Sequence, residues 1–299
     1  MSLLVVGSVA LDDVESPAGR VTGVLGGAAC HFAVAARHFV PVSIVGVVGE
    51  DFPPEHLEFL ASRGIDITGI YSAPGRTFRW GGRYHASLNT RDTLFTELGV
   101  FETFKPELDA HQRASEFVFL ANTHPSLQLE VLSQVASPRF TAMDTMNFWI
   151  EGTPAELRQT LQRVNGLILN DEEARQLTGE YNLVKAAASI RALGPQVVVI
   201  KRGEHGALLF DREGIFAAPA FPLHEVVDPT GAGDSFAGGF MGALAHEGRV
   251  DSETLRRAVV YGSALASFCV ERFGLDRMRD LARAEIDTRY AHFRALTHF

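Results

Sequence analysis

Cysteine is scarce in this chain: Cys30 and Cys269 are the only two among 299 residues, and they form neither a CxxC pair nor a disulfide framework. That excludes a disulfide-stapled secreted scaffold and fits a reducing cytoplasm, with each cysteine read as a small buried apolar residue. Positive charge is also in short supply. With 27 Lys and Arg against 36 Asp and Glu, the formal net charge is -9. A binder of phosphate backbones presents the opposite balance, so nucleic acid is not an expected partner. No apolar run approaches the ~18 to 20 residues of a membrane span, so neither is a membrane. The opening "MSLLVVGSVALDD" lacks a basic n-region and reads as a first strand, not a signal peptide. A G-x-x-x-x-G-K-[ST] loop is missing as well, which argues against the P-loop mechanism of phosphate transfer.

What the chain does have is an alternation. Short, nearly continuous apolar runs, "LLVVG" (3–7), "SIVGVVG" (43–49), "FVFLA" (117–121), "RFTAMD" (139–144), "GLILN" (166–170) and "VVVIK" (197–201), are separated by helical patterns at 29–39, 53–64, 153–164 and 182–194. Such strands belong to a sheet covered on both faces, so the pattern predicts one α/β domain over 1–299 with a mainly parallel sheet. Ligands in such sheets bind beyond the carboxyl ends of the strands. The segment 76–98, "RTFRWGGRYHASLNTRDTLFTEL", breaks the rhythm: it is rich in Arg, Thr and aromatics and has no helical stripe. It reads as an excursion of antiparallel strands, either a surface decoration or a lid.

The stretch "DPTGAGDSFAGGF" (228–240) carries the most chemistry. Phe236, Phe240 and Leu244 recur at four-residue spacing, one apolar face of a helix, so the turn Gly231, Ala232, Gly233 sits at a helix N-terminus. Backbone N–H groups and the helix dipole make such a turn a seat for an anion such as phosphate. Asp234 stands beside that seat. It is either an N-cap or a base that takes a proton from an attacking hydroxyl.

This stretch resembles the D-T-x-G-A-G-D signature of the ribokinase-like (PfkB) carbohydrate kinase family, with Pro229 in place of the customary Thr. The resemblance implies a ribokinase-like α/β fold with a small β lid, and transfer of the γ-phosphoryl group of ATP to a hydroxyl. It makes Asp234 the base and Gly231, Ala232 and Gly233 the anion hole. Further family motifs follow in order. Gly26 and Gly27 before a helix match the substrate-side signature, and "GSVALDD" offers Asp12 to grip substrate hydroxyls. "LILNDEEA" matches N-x-x-E, giving Asn170, which also suits a helix cap, and Glu173, placed by the resemblance at Mg2+ through water. "VVVIKRGEHGALLF" implicates Lys201, Gly203 and Gly206 at the nucleotide, and the last long helix offers Ser263. Asp228 and Thr230 match positions where some members hold a monovalent cation such as K+.

The acceptor is less determined. Ala10 and His31 stand where ribokinases carry Asn, so His31 is either an ordinary helix histidine or a substitute donor. "MDTMNFWIEG" (143–152) offers Asp144, Asn147 and Trp149 near the same place. These departures put ribose in doubt and leave another sugar, a polyol or a nucleoside open. The resemblance also turns 76–98 towards a lid, with Arg79, Arg83 or Arg91 in reach of the site and a homodimer paired through its strands.

Overall fold

The computed structural model describes residues 1–298. Its strands are β1 (Leu3–Val6), β2 (Ala10–Ser16), β3 (Gly19–Gly26), β4 (Val42–Gly49), β5 (Asp66–Ala73), β6 (Phe78–Tyr84), β7 (Arg91–Glu97), β8 (Phe117–Leu120), β9 (Phe140–Met143), β10 (Gly166–Asn170), β11 (Val197–Lys201), β12 (Ala207–Asp211) and β13 (Gly214–Ala218). The helices are α1 (Ala28–Ala36), α2 (Pro54–Ser62), α3 (Ala110–Arg113), α4 (Pro125–Gln134), α5 (Asn147–Gly152), α6 (Pro154–Leu161), α7 (Asp171–Thr178), α8 (Leu183–Leu193), α9 (Ala232–Glu247), α10 (Ser252–Cys269), α11 (Asp276–Arg279) and α12 (Arg283–Thr297).

Nine strands form one sheet in the order β13-β12-β11-β10-β9-β8-β1-β4-β5. It is parallel from β11 to β5, and β12 and β13 add an antiparallel edge. Its strands are apolar throughout because both faces are covered. Leu3 and Val5 of β1 point into one core with Phe32 of α1, Phe240 of α9 and Leu265 of α10. Leu4 and Val6, one residue out of phase, enter a second core with Val131 of α4, Leu157 of α6 and Ile190 of α8. The period of two along a strand thus feeds two helical layers.

On the first face the helices approach closely. A Cβ at Gly238 of α9 would lie 2.2 Å from the Phe32 carbonyl oxygen of α1, so these glycines let α9 bed directly onto its neighbour. That packing fixes the start of α9 against the strand ends.

The second sheet has four strands, β3-β2-β6-β7. β6 and β7 are antiparallel, as are β2 and β3, but the two hairpins meet through a parallel β2–β6 pair. The excursion expected at 76–98 is therefore only half of this sheet, and residues 10–26 supply the rest. The opening "MSLLVVGSVALDD" likewise divides: the main-sheet strand ends at Val6, and Asp12 lies on β2 in the small sheet.

Candidate active site

The turn before α9 has the backbone that the anion seat requires. Gly231 sits at φ +74 as the N-cap, a left-handed conformation that favours glycine. A Cβ there would fall 2.1 Å from Nδ1 of His31, so the ring of His31 packs directly beneath the turn. The Ala232 N–H donates to the Pro229 carbonyl at 3.2 Å and is not free for a ligand. The N–H groups of Gly231, Gly233 and Asp234 find no acceptor among the described residues. Of the three residues expected to form an anion hole, Gly231 and Gly233 thus have free amides and Ala232 does not, while the Asp234 amide beside them is also free.

Lys201, the last residue of β11, brings its ammonium to this turn: a Cβ at Gly233 would lie 2.7 Å from Nζ. Its charge also reaches Asp144 and Glu173, and lowers the proton affinity of both. Glu173 is held by a capping box on α7. Its Oε2 accepts the Asn170 N–H at 2.8 Å, and Asn170 Oδ1 accepts the Glu173 N–H at 2.7 Å. Asn170 therefore does cap the helix, and in doing so it aims Glu173. Burial raises the Glu173 carboxyl above its ordinary range, against Lys201 and the Asn170 N–H. Asp144, just past β9, is raised further, by burial first and then by the charge of Asp234, and its Oδ1 has no partner.

The small sheet approaches from the other side. Asp12 on β2 is buried, and a Cβ at Gly26 would fall 2.0 Å from its Oδ2, so that glycine makes room for the carboxylate. Gly27, at φ +91, turns the chain so that its N–H donates to Asp12. Burial, with the charges of Asp228, Asp234 and Asp13, lifts the Asp12 carboxyl to about 7. Tyr84 of β6 accepts a hydrogen bond from Thr230 Oγ1 at 3.2 Å, joining the sheet to the residue before the glycine turn.

Asp234 is the common neighbour of these groups: its charge acts on Asp12, Asp144, Glu173 and His31. His31 is buried and held neutral by burial, against the charges of Asp234 and Asp228. Its Nδ1 lies 3.8 Å from Cys269 Sγ, and its Nε2 has no partner. Asp228 is buried, with one carboxylate oxygen accepting the Thr230 N–H at 2.8 Å and the other the Gly274 N–H at 2.9 Å. Both cysteines are free and buried.

Other expected residues are not tied into this group. Asn147 is exposed at the start of α5. Trp149 donates its indole N–H to Asn122 at 2.9 Å and packs edge-on against His124 and Phe148. Gly203 and Gly206 shape the β11–β12 turn at φ +54 and +82, and Ser263 is buried on α10. Tyr84 is the neighbour that sequence reasoning missed, since nothing in "GGRYHAS" marks it as more than a strand aromatic.

Among the described residues no cluster of three or more His, Cys, Asp or Glu side chains is arranged to hold a metal alone. The donor set suits Mg2+ held chiefly by phosphates and water: the buried Asp144, with an unpartnered oxygen, and the half-buried Glu173 both feel the charge of Lys201. A surplus of buried negative charge is what such a cation relieves. No described helix is long and apolar enough to cross a membrane.

The model of the pfkB family carbohydrate kinases matches residues 2–280. A cytidine kinase of Thermococcus kodakarensis is 34% identical over 263 residues, covering 86% of this chain and 92% of that protein. Among solved structures, a protein from E. coli described as a ribokinase II, in complex with ATP and Mg2+, superposes with TM-score 0.80 at 20% identity, over 97% of this chain and 99% of that one. A nucleoside kinase of Burkholderia thailandensis in complex with inosine superposes with TM-score 0.77 at 21% identity, over 97% of each chain.

Proposed function

The chain belongs to the pfkB family of carbohydrate kinases and is an ATP-dependent phosphotransferase with an alcohol group as acceptor; from that premise we propose that Asp234 is its catalytic base and a nucleoside its acceptor. One observation carries the reading. Asp234 stands over a turn with three free N–H groups, with Asp12 of the small sheet on one side and Lys201, Glu173 and Asp144 of the main sheet on the other.

Asp12 accepts hydrogen bonds from acceptor hydroxyls and holds one of them beside Asp234, which takes its proton as the oxygen attacks. The N–H groups of Gly231, Gly233 and Asp234, aligned with the α9 dipole, stabilise the negative charge that develops on the transferred group. Lys201 adds a full positive charge at the same turn. Mg2+ and ATP, when bound, supply the phosphoryl group and neutralise the phosphate chain, with Glu173 and Asp144 the carboxylates placed to hold the metal through water. Gly203, Gly206 and Ser263 line the nucleotide side in this reading, and the four-stranded sheet is its lid over one continuous domain.

The nucleoside is favoured over a free sugar by the 34% identity to a cytidine kinase. Ala10 and the buried His31 stand where ribokinases place amides, which removes two contacts to a small sugar. The test is a panel of nucleosides and free sugars with Mg2+ and ATP, read by product mass. A nucleoside is expected to exceed ribose in kcat/KM by about tenfold or more; a free sugar as the best acceptor would overturn the nucleoside reading and leave the kinase intact.

Two finer points belong to the same proposal. K+ sits beside Asp228 and Thr230, so replacing K+ by a bulky organic cation lowers kcat; an unchanged rate removes that site. A homodimer forms through the small sheet, where Leu94 and Leu98 are 46% and 41% exposed; a monomeric mass in light scattering removes it. A cytoplasmic location fits the two free cysteines, and recovery of the protein from a secreted fraction would contradict it.

A further inference from the structure

Three arginines rise from the β6–β7 hairpin of the small sheet, and they are not equivalent. Arg79 is paired with Asp13 at 3.3 Å and Arg83 with Glu15 at 2.9 Å. Arg91 has no carboxylate within 4.0 Å among the described residues. It is exposed, and its guanidinium carbon lies 5.5 Å from the centre of the Trp80 ring.

Its position is more telling than its freedom. Arg91 is the cross-strand partner of Tyr84, whose hydroxyl accepts from Thr230, the residue that opens the glycine turn. The hairpin tip between them reaches the nucleotide-side loop, where a Cβ at Gly203 would lie 3.1 Å from Asn89 Oδ1. The Arg91 charge is felt at Glu173 and at Tyr84, whereas the charged neighbours of Asp12 are Asp228, Asp234 and Asp13. Arg91 thus shares with Tyr84 the cross-strand position by which the hairpin meets the glycine turn.

We propose that Arg91 is a phosphate-binding residue: carried by the small sheet, its guanidinium fork takes the phosphate oxygens of the nucleotide at the glycine turn. The inference rests on Asp234 marking the phosphoryl-transfer site. The residue type suits the task, since a guanidinium presents planar paired donors to phosphate where Lys201 offers a point charge. It also gives the small sheet a reason to close on the nucleotide as well as on the acceptor.

The chain has two tryptophans, Trp80 and Trp149, so a Trp149→Phe background makes Trp80, beside Arg91, the sole reporter. In that background, Arg91→Gln, Arg91→Lys and the control Arg83→Gln are titrated with adenylyl imidodiphosphate and Mg2+ for binding alone, and the same substitutions in the otherwise wild-type chain are assayed for turnover. The expected Arg91→Gln result is a rise of about tenfold or more in the Kd of the analogue and the KM for ATP. Its acceptor KM stays within about twofold, and the Trp80 emission change on analogue binding disappears. Arg91→Lys recovers part of the affinity, and Arg83→Gln matches the parent. Analogue affinity, KM for ATP and kcat all unchanged in Arg91→Gln, with an active parent, would overturn the role of Arg91 alone. A wild-type chain that binds no analogue and turns over no ATP would instead sink the phosphoryl-transfer reading, and this inference with it.

Discussion

The two sheets solve different problems. In the nine-stranded sheet β1 and β4 are buried along their whole length, and the helices on both faces leave the strand ends no freedom. In the four-stranded sheet β7 is almost wholly exposed and β3 half so, and charged pairs such as Arg83 with Glu15 run across its surface. The main sheet supplies Lys201, Asn170, Glu173, Asp144 and the bed for the glycine turn. The small sheet supplies Asp12, Tyr84 and Arg91. Leu11 of β2 and Leu25 of β3 enter the first core, and hydrogen bonds add to the join, including Ser16 Oγ to the Val227 carbonyl at 2.7 Å, Thr77 to Asp51 at 2.7 Å and Thr230 to Tyr84 at 3.2 Å. In the proposed mechanism the covered layer holds most of the phosphate chemistry, and the small sheet, whose outer strand is exposed, adds acceptor recognition and Arg91. Lids that close over substrates often carry such exposed strands.

Variants that separate the layers sharpen this contrast. The largest effect is expected from Asp234→Asn, which sits where they meet: kcat falls by roughly 10² to 10⁴ while binding of an ATP analogue and the unfolding midpoint hold. Gly231→Ala should come next. At φ +74 and with its Cβ 2.1 Å from the His31 ring, alanine must displace either the turn or the histidine. A loss of roughly 10² to 10³ in kcat and about 1–3 kcal/mol in stability is expected from kinetics and denaturant titration. An unchanged Gly231→Ala enzyme would break the claim that the main sheet fixes the turn.

Asp12→Asn probes the small sheet, and its sign depends on pH. The ordinary aspartate value is 3.8 and the buried Asp12 carboxyl stands at about 7, so the folded chain holds a proton that the unfolded chain releases. Between these values stability falls as pH rises, by at most about 1.4 kcal/mol per pH unit. Asp12→Asn removes that slope and raises the unfolding midpoint above wild type at pH 8. It also raises the acceptor KM by roughly 10- to 100-fold. In the wild type, ionisation of Asp12 improves its acceptance from hydroxyls, so acceptor KM falls as pH rises through about 7. A flat acceptor KM between pH 6 and 8 would detach Asp12 from the substrate. The smallest expected effect is that of Tyr84→Phe. It removes one hydrogen bond between the layers and lowers kcat by about two- to fivefold, with stability within about 1.5 kcal/mol of wild type.

The same contrast explains what could be read from the sequence. The main sheet announced itself because each buried strand is a local apolar run and each helix a local stripe, and the glycine turn because its chemistry is contiguous from Asp228 to Asp234. The small sheet did so only in part: 76–98 showed as antiparallel strands, but its other half did not, because the two halves join through a parallel pair between β2 and β6, distant in sequence, and because "ALDDVES" alternates with carboxylates that read as a turn. Asn170 was recognisable as a cap, but its reciprocal bond, which pins Glu173, takes the folded α7 to see. The engaged amide of Ala232, and Arg91 standing beside Tyr84 and Trp80 while Arg79 and Arg83 are paired with carboxylates, are facts of register that no local pattern carries.

The junction of the two layers at Asp234 is tested most directly by ADP release from wild type with Mg2+ and ATP, measured with and without cytidine. The expected result is slow release with ATP alone, stimulated by roughly 10² or more when the acceptor supplies the hydroxyl, and no comparable stimulation in Asp234→Asn. Equal release with and without any nucleoside or sugar, or full stimulation in Asp234→Asn, would contradict it.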